Sequence, residues 1–200
     1  MIDMPPPAGP TLLFVVGPPA VGKMTVGHEI AERTGLRLFH NHLAIEPALR
    51  FFEFGSPPFR RLVEGFRTQV FEEVAASDLP GMIFTYVWAF DSPADWAAVD
   101  GYAEPFRRRG GQVLFLELEA SQEERLLRNV GEFRLAEKAS KRDIEASRRG
   151  LLELDRKHRL NSTGELDDRP DYLRLDTTEM TAEAAAGTAI GHFRLTERTK

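Results

Sequence analysis

Leu12-Leu13-Phe14-Val15-Val16-Gly17-Pro18-Pro19-Ala20-Val21-Gly22-Lys23-Met24-Thr25 decides how the remainder of the chain is read. The apolar run Leu12 to Val16 reads as a strand. It delivers the chain into Gly17 to Lys23, which keeps the spacing G-x-x-x-x-G-K of a phosphate-binding loop. An amphipathic stretch from about Lys23 to Arg33 follows, so the turn ends on a helix N-terminus, where unpaired N–H groups and the helix dipole favour anions. Glycine at 17 and 22 lets the backbone turn its N–H groups outward with no side chain in the way, and Lys23 is long enough to reach a terminal phosphate. A plain Gly/Pro turn between strand and helix would also explain the glycines. The agreement of strand, spacing, lysine and helix favours the anion site.

A chain of 200 residues suits one α/β domain with small insertions. A net charge of −5 argues against a general nucleic-acid binder, because a phosphate backbone demands a concentrated basic surface. The absence of cysteine excludes disulfides and thiolate metal sites. Residues 1–10, MIDMPPPAGP, read as a flexible Pro-rich leader without the basic and apolar regions of a signal peptide, and no apolar run is long enough to span a bilayer. A cytoplasmic protein that works on neither membrane nor nucleic acid is the expectation.

Beyond the loop, Thr34-Gly35 stops the first helix and Leu36 to His40 alternates as a second strand. It ends at His40-Asn41-His42, where polar groups would face the crevice in which open α/β sheets bind ligands. A metal at His40 and His42 lacks a third ligand at suitable spacing, so a substrate contact or a cap is the better reading, with His42 the better site candidate. From Leu43 to about Ala76 the pattern is helical, broken at Gly55-Ser56-Pro57-Pro58. Phe51, Phe52, Phe54, Phe59, Phe66 and Phe71 are interleaved here with Arg50, Arg60, Arg61 and Arg67. A helix pair over the crevice explains this mixture; core phenylalanines beside solvated arginines explain it equally. Met82 to Trp88 reads as a strand buried on both faces. Asp91, just beyond it, is either a functional carboxylate or the N-cap of a helix from Pro93 to Arg108, and Ser92 is an equal claimant to the cap. Gln112 to Leu118 forms the next strand, and Ser121-x-x-Glu124 opens a helix carrying Arg125 and Arg128 on one face. A basic segment with Arg134 and Lys138 follows. Ser140 to His158 reads as a long polar helix, Tyr172 to Asp176 as the last strand, and Thr181 as the cap of the final helix.

This order predicts a five-stranded parallel sheet with helices on both faces. Gly22-Lys23-Met24-Thr25 resembles the nucleoside monophosphate kinases, and Phe59-Arg60 with Glu64 resembles the F-R-x-x-E segment of shikimate kinases. The whole chain resembles the shikimate kinase, gluconate kinase and nucleoside monophosphate kinase group of P-loop folds. That resemblance implies strand order 2-3-1-4-5, a substrate-binding insertion at about 42–76 and a basic lid at about 131–145. It implies ATP and Mg²⁺ acting on a small-molecule acceptor. Gly17, Pro18, Pro19, Ala20, Val21, Gly22, Lys23, Met24 and Thr25 would cradle the nucleotide, with Arg125 beside it and Asp176 and Thr177 toward the base. Arg128 and Arg134 would join Lys23 and Asp91 in catalysis. Arg60, then Arg67, would clamp the acceptor as arginines do in that family, together with His42. Met24 replaces the usual hydroxyl after the lysine, so Thr25 and Asp91 would reach the metal through water. The acidic pair that shikimate kinases carry after strand two is absent, which argues against shikimate itself. The rival functions are a nucleotide-hydrolysing switch and a nucleotide-binding module without turnover.

Overall fold

The computed structural model describes residues 9–130 and 143–198. Within them, β1 (Thr11–Val16), β2 (Arg37–His40), β3 (Gly81–Tyr86), β4 (Gln112–Glu119) and β5 (Tyr172–Asp176) form one all-parallel sheet in the order β2-β3-β1-β4-β5. The helices are α1 (Lys23–Thr34), α2 (His42–Leu49), α3 (Pro57–Ala76), α4 (Pro93–Arg107), α5 (Gln122–Arg128), α6 (Ile144–Lys157) and α7 (Ala182–Phe193). This is the predicted architecture, strand order included.

β1 is central and every one of its residues is buried, as its continuous apolar sequence requires of a strand covered on both faces. Its side chains alternate between two cores. Leu12, Phe14 and Val16 join Phe39, Phe71, Phe84 and Phe106 beneath α2, α3 and α4, while Leu13 and Val15 join Val26, Ile30, Ala185 and Phe193 beneath α1 and α7. Fully buried Ala185, Ala186 and Ala189 let α7 lie close against its neighbours. In β4 the same alternation places Val113 and Phe115 in the first core and Leu114, Leu116 and Leu118 in the second. Glu117 therefore falls on the face of the first core, and it is wholly inaccessible to solvent.

Several boundaries differ from the sequence expectation. β3 ends at Tyr86, and Val87 and Trp88 lie beyond it; Trp88 is nonetheless buried, stacked 4.6 Å from Phe90. The cap of α4 is Ser92, whose Oγ accepts from the Asp95 N–H at 3.3 Å, so Asp91 is not that cap. Of the Ser140–His158 helix, the described part is α6, capped by Asp143. Of the phenylalanines in the α2–α3 insertion, only Phe59 and Phe71 belong to the core, whereas Phe51 and Phe54 are 77% and 74% exposed. Arg67 is the converse, an arginine buried where a solvated one was the alternative reading.

Candidate nucleotide site and acceptor crevice

The sheet brings the C-terminal ends of its inner strands abreast: Val16 pairs with Tyr86 on β3 and with Glu117 on β4. The chain must turn at once beyond Val16, and Gly17 does so with φ +130°; a Cβ there would lie 2.2 Å from the Leu118 carbonyl oxygen. Ala20 has φ +62° and Gly22 φ +107°. Residues of alternating handedness fold such a turn into a concave nest of N–H groups. For Ala20 the left-handed conformation costs on the order of 1 kcal/mol, a strain that persists only where the surroundings hold it. From the first residue of α1, Lys23 donates through Nζ to the carbonyls of Gly17 and Pro18, both at 2.6 Å.

The outward carbonyls of this turn are met from behind. Arg125 Nη1 donates to the Pro19 carbonyl at 3.4 Å, and its two terminal nitrogens grip Asp155 of α6 at 3.0 and 2.6 Å. Arg128 Nη1 and Thr177 Oγ1 both lie 3.2 Å from the Val21 carbonyl. Arg128 Nη2 also reaches the Thr177 and Thr178 carbonyls at 2.6 and 3.2 Å, while its Nε pairs with Glu124 at 2.7 Å. A cavity of about 160 Å³ opens here, lined by Val21, Gly22, Thr25, Arg128, Thr177 and Met180 among others. Asp176 is turned toward its own loop. Hydrogen bonds from the Thr178 hydroxyl at 2.7 Å and N–H at 2.9 Å hold its carboxyl below the usual range.

At the C-terminal end of β2, Asn41 donates through its N–H to Thr85 Oγ1 of β3 at 3.2 Å. Its side chain accepts from Arg67 Nη2. Arg67 Nη1 donates to Glu64 at 2.9 Å and to the Tyr102 hydroxyl at 3.3 Å, and Tyr102 donates to the other Glu64 oxygen at 2.6 Å. Burial, with Glu64 beside it, pushes the Tyr102 hydroxyl up to about 12; burial likewise raises Tyr86, with Asp95 adding to it. His42 pairs with Glu46 one turn on, Nδ1 to Oε1 at 2.8 Å. Arg60 stands exposed on the first turn of α3. Three residues rather than two separate Arg60 from Glu64, so the F-R-x-x-E spacing is not kept, and the arginine that pairs with Glu64 is Arg67.

Asp91 accepts from the Arg159 N–H at 3.2 Å, and His158 Nδ1 lies 3.5 Å away. Desolvation raises its carboxyl, but the N–H groups of Asp91 and Arg159 and the neighbouring His158 outweigh it and hold it below the usual range. Arg134 and Lys138 lie outside the described residues, as does most of the 131–145 segment. Sequence reasoning passed over Glu117, which accepts from Asn161 Nδ2 at 2.7 Å, Ser162 N–H at 2.9 Å and the Tyr172 hydroxyl at 2.9 Å. Its signal was a lone charge inside the apolar run of β4. Asp155 had no such mark on a polar helix.

Among the described residues no three His, Asp or Glu side chains are grouped to hold a metal ion by themselves. Met24, where a metal-binding hydroxyl often sits, is buried in the protein, while Thr25 is exposed on the cavity wall. Such a donor set suits a Mg²⁺ held chiefly by nucleotide phosphates and water.

Sheet order, loop and flanking helices together define the fold of the P-loop small-molecule kinases. The similar solved structures agree. A sugar kinase from Janibacter sp. HTCC2649 superposes with a TM-score of 0.58 at 18% identity, covering 94% of this chain and 95% of the other. Shikimate kinase from Acinetobacter baumannii, in complex with shikimate, gives 0.55 at 20% identity with 94% of each chain covered. The Mycobacterium tuberculosis APS kinase CysC, in complex with AMPPNP and APS, gives 0.59 at 15%, covering 94% and 99%. No family model and no curated protein sequence matches the chain.

Proposed function

We propose that the protein transfers the γ-phosphoryl group of ATP to a hydroxyl of a small-molecule acceptor. The observation that carries the reading is the turn from Gly17 to Lys23, strained at Ala20, opening α1 and closed by Lys23. On this reading the N–H groups from Pro19 to Thr25 bind the β-phosphate, and Lys23 exchanges its loop carbonyls for the β- and γ-phosphates. Arg128 and Thr177 stand at the wall of the cavity beside the loop, and on this reading Thr177 and Asp176 would lie on the side of the base. Asn41, His42 and Arg67, with Arg60 at the rim, orient the acceptor so that its hydroxyl oxygen attacks the γ-phosphorus in line as the bond to ADP breaks. Asp91, held ionised, takes up the hydroxyl proton. Thr25 and Asp91 would hold Mg²⁺ through water, and the ion would supply charge neutralisation on the phosphates; Arg134 of the basic segment would add positive charge.

The similar solved structures support this reading, being a sugar kinase, an APS kinase in complex with AMPPNP and APS, and a shikimate kinase in complex with shikimate. The test is ADP release measured over sugars, nucleosides, nucleotides, hydroxy acids and aminoglycoside-like compounds, with Lys23→Ala as control. One compound class should accelerate release sharply. Acceleration by a protein alone would establish the switch instead, and nucleotide binding without any release would establish the binding module.

A further inference from the structure

In a turn whose N–H groups face phosphate, the carbonyls point the other way and need donors of their own. Peptide planarity makes the link rigid: in a trans peptide the C=O and the following N–H are antiparallel, so fixing the Pro19 carbonyl fixes the direction of the Ala20 N–H. We propose that Asp155 and Arg125 are a positioning pair for phosphate binding, in which Asp155 orients the Arg125 guanidinium so that it holds the Pro19 carbonyl and thereby aims the Ala20 N–H at the nucleotide. The inference rests on the nucleotide reading of the loop.

Three observations converge on it. Arg125 is only 6% exposed and both of its terminal nitrogens are committed to Asp155, so it is not placed to extend into solvent toward a ligand. The contact that remains is with the Pro19 carbonyl at 3.4 Å. Ala20, the next residue, has φ +62°, a conformation that needs an external hold. Stability alone does not account for the pair. A buried ion pair pays a desolvation cost that apolar residues of similar volume avoid, and Arg125 Nε is buried without a hydrogen-bond partner. The Arg125 of the sequence expectation, a direct nucleotide contact, becomes on this view a residue that acts through the backbone.

The test is calorimetric binding of Mg²⁺·ATP to the full chain, with melting temperature measured alongside. The wild type should bind. Asp155→Asn should weaken binding about tenfold or more, the loss expected when a charge-assisted hydrogen bond is misdirected. The double variant Arg125→Met/Asp155→Leu leaves no buried charge behind, so it should melt near the wild-type temperature yet bind as weakly as the single variant. A double variant that binds like the wild type would overturn the pair while leaving the nucleotide reading standing. So would an Asp155→Asn protein whose loss of affinity merely tracks its unfolded fraction. A wild type that binds no nucleotide would overturn both.

Discussion

Lys23 Nζ lies 2.6 Å from the carbonyl oxygens of both Gly17 and Pro18, folded back over the turn that ends at its own residue. The ammonium is thus held by the turn's own carbonyls, whose place phosphate oxygens would take on the proposed reading. Half-exposed as it is, its removal should disturb the fold little. Lys23→Ala is expected to lower turnover by about 10²–10³-fold, the usual cost of deleting one charge-stabilising group, with the melting temperature nearly unchanged. ADP-release assays and thermal denaturation of the same preparation check both halves; full activity in the variant would sink the proposed reaction.

Arg60 and Arg67 separate a surface role from a buried one. Arg60 is exposed, and Arg60→Ala should change stability by no more than about 0.5 kcal/mol. Arg67 is buried among Asn41, Glu64 and Tyr102, so Arg67→Ala removes several hydrogen bonds and leaves a cavity. A loss of about 2–3 kcal/mol is expected in urea denaturation. The acceptor KM should rise in Arg67→Ala while the ATP KM holds. A rise confined to Arg60→Ala would return the acceptor clamp to the position that the shikimate kinase resemblance implied.

How far the site was legible follows from which interactions are local. The loop could be read because a strand end, two glycines, a lysine and a helix start lie within one continuous stretch, and β1 and β3 announced themselves as buried by unbroken apolar sequence. Ser121 and Thr181 were legible as caps because a cap bonds two or three residues ahead; Ser92 against Asp91 was ambiguous because either spacing serves. The partners of Arg67 and Arg125 were not legible. Asn41 and Asp155 are 26 and 30 residues away from them, and only the packing of α3 against the sheet and of α6 against α5 brings them together. Without such partners, a buried arginine and a solvated one look alike on a helix.

The segment after α6 carries a pH signature. The Glu165 carboxyl is held down to about 2, first by its hydrogen bond from Arg159 and then by the Thr163 N–H, 2.5 Å away. A depressed carboxylate contributes stability that is fully present above the ordinary value of about 4.3 and is lost as pH falls through the folded-state value. Acidification from about pH 4 toward 2 should therefore release the 159–165 turn. Carboxyl ¹³C titration by NMR should find Glu165 still ionised where ordinary glutamates are half protonated, and Arg159→Gln should return it toward the ordinary range. An ordinary titration in the wild type would refute the pairing.

Glu117 connects the core to the loop. Its Oε1 accepts from Asn161 Nδ2 and Ser162 N–H, its Oε2 from Tyr172, and Asn161 also donates to the Leu118 carbonyl at 3.2 Å, the oxygen against which Gly17 is packed. Glu117→Gln can keep the two N–H donors on its remaining oxygen, and the Tyr172 hydroxyl, 3.0 Å from Ser162 Oγ, can reverse to accept from the new amide. A cost of about 1 kcal/mol is expected. Glu117→Leu leaves the Ser162 N–H without its acceptor, Asn161 with only the Leu118 carbonyl and Tyr172 with only Ser162 Oγ, around a side chain with no access to water, and should cost about 3 kcal/mol or more. Urea denaturation of the two variants distinguishes the cases. Equal losses in both would show that the charge rather than the hydrogen bonding holds the turn, whereas a mild Gln variant with near-normal nucleotide affinity beside a crippled Leu variant would establish Glu117 as the acceptor that organises the floor beneath Gly17.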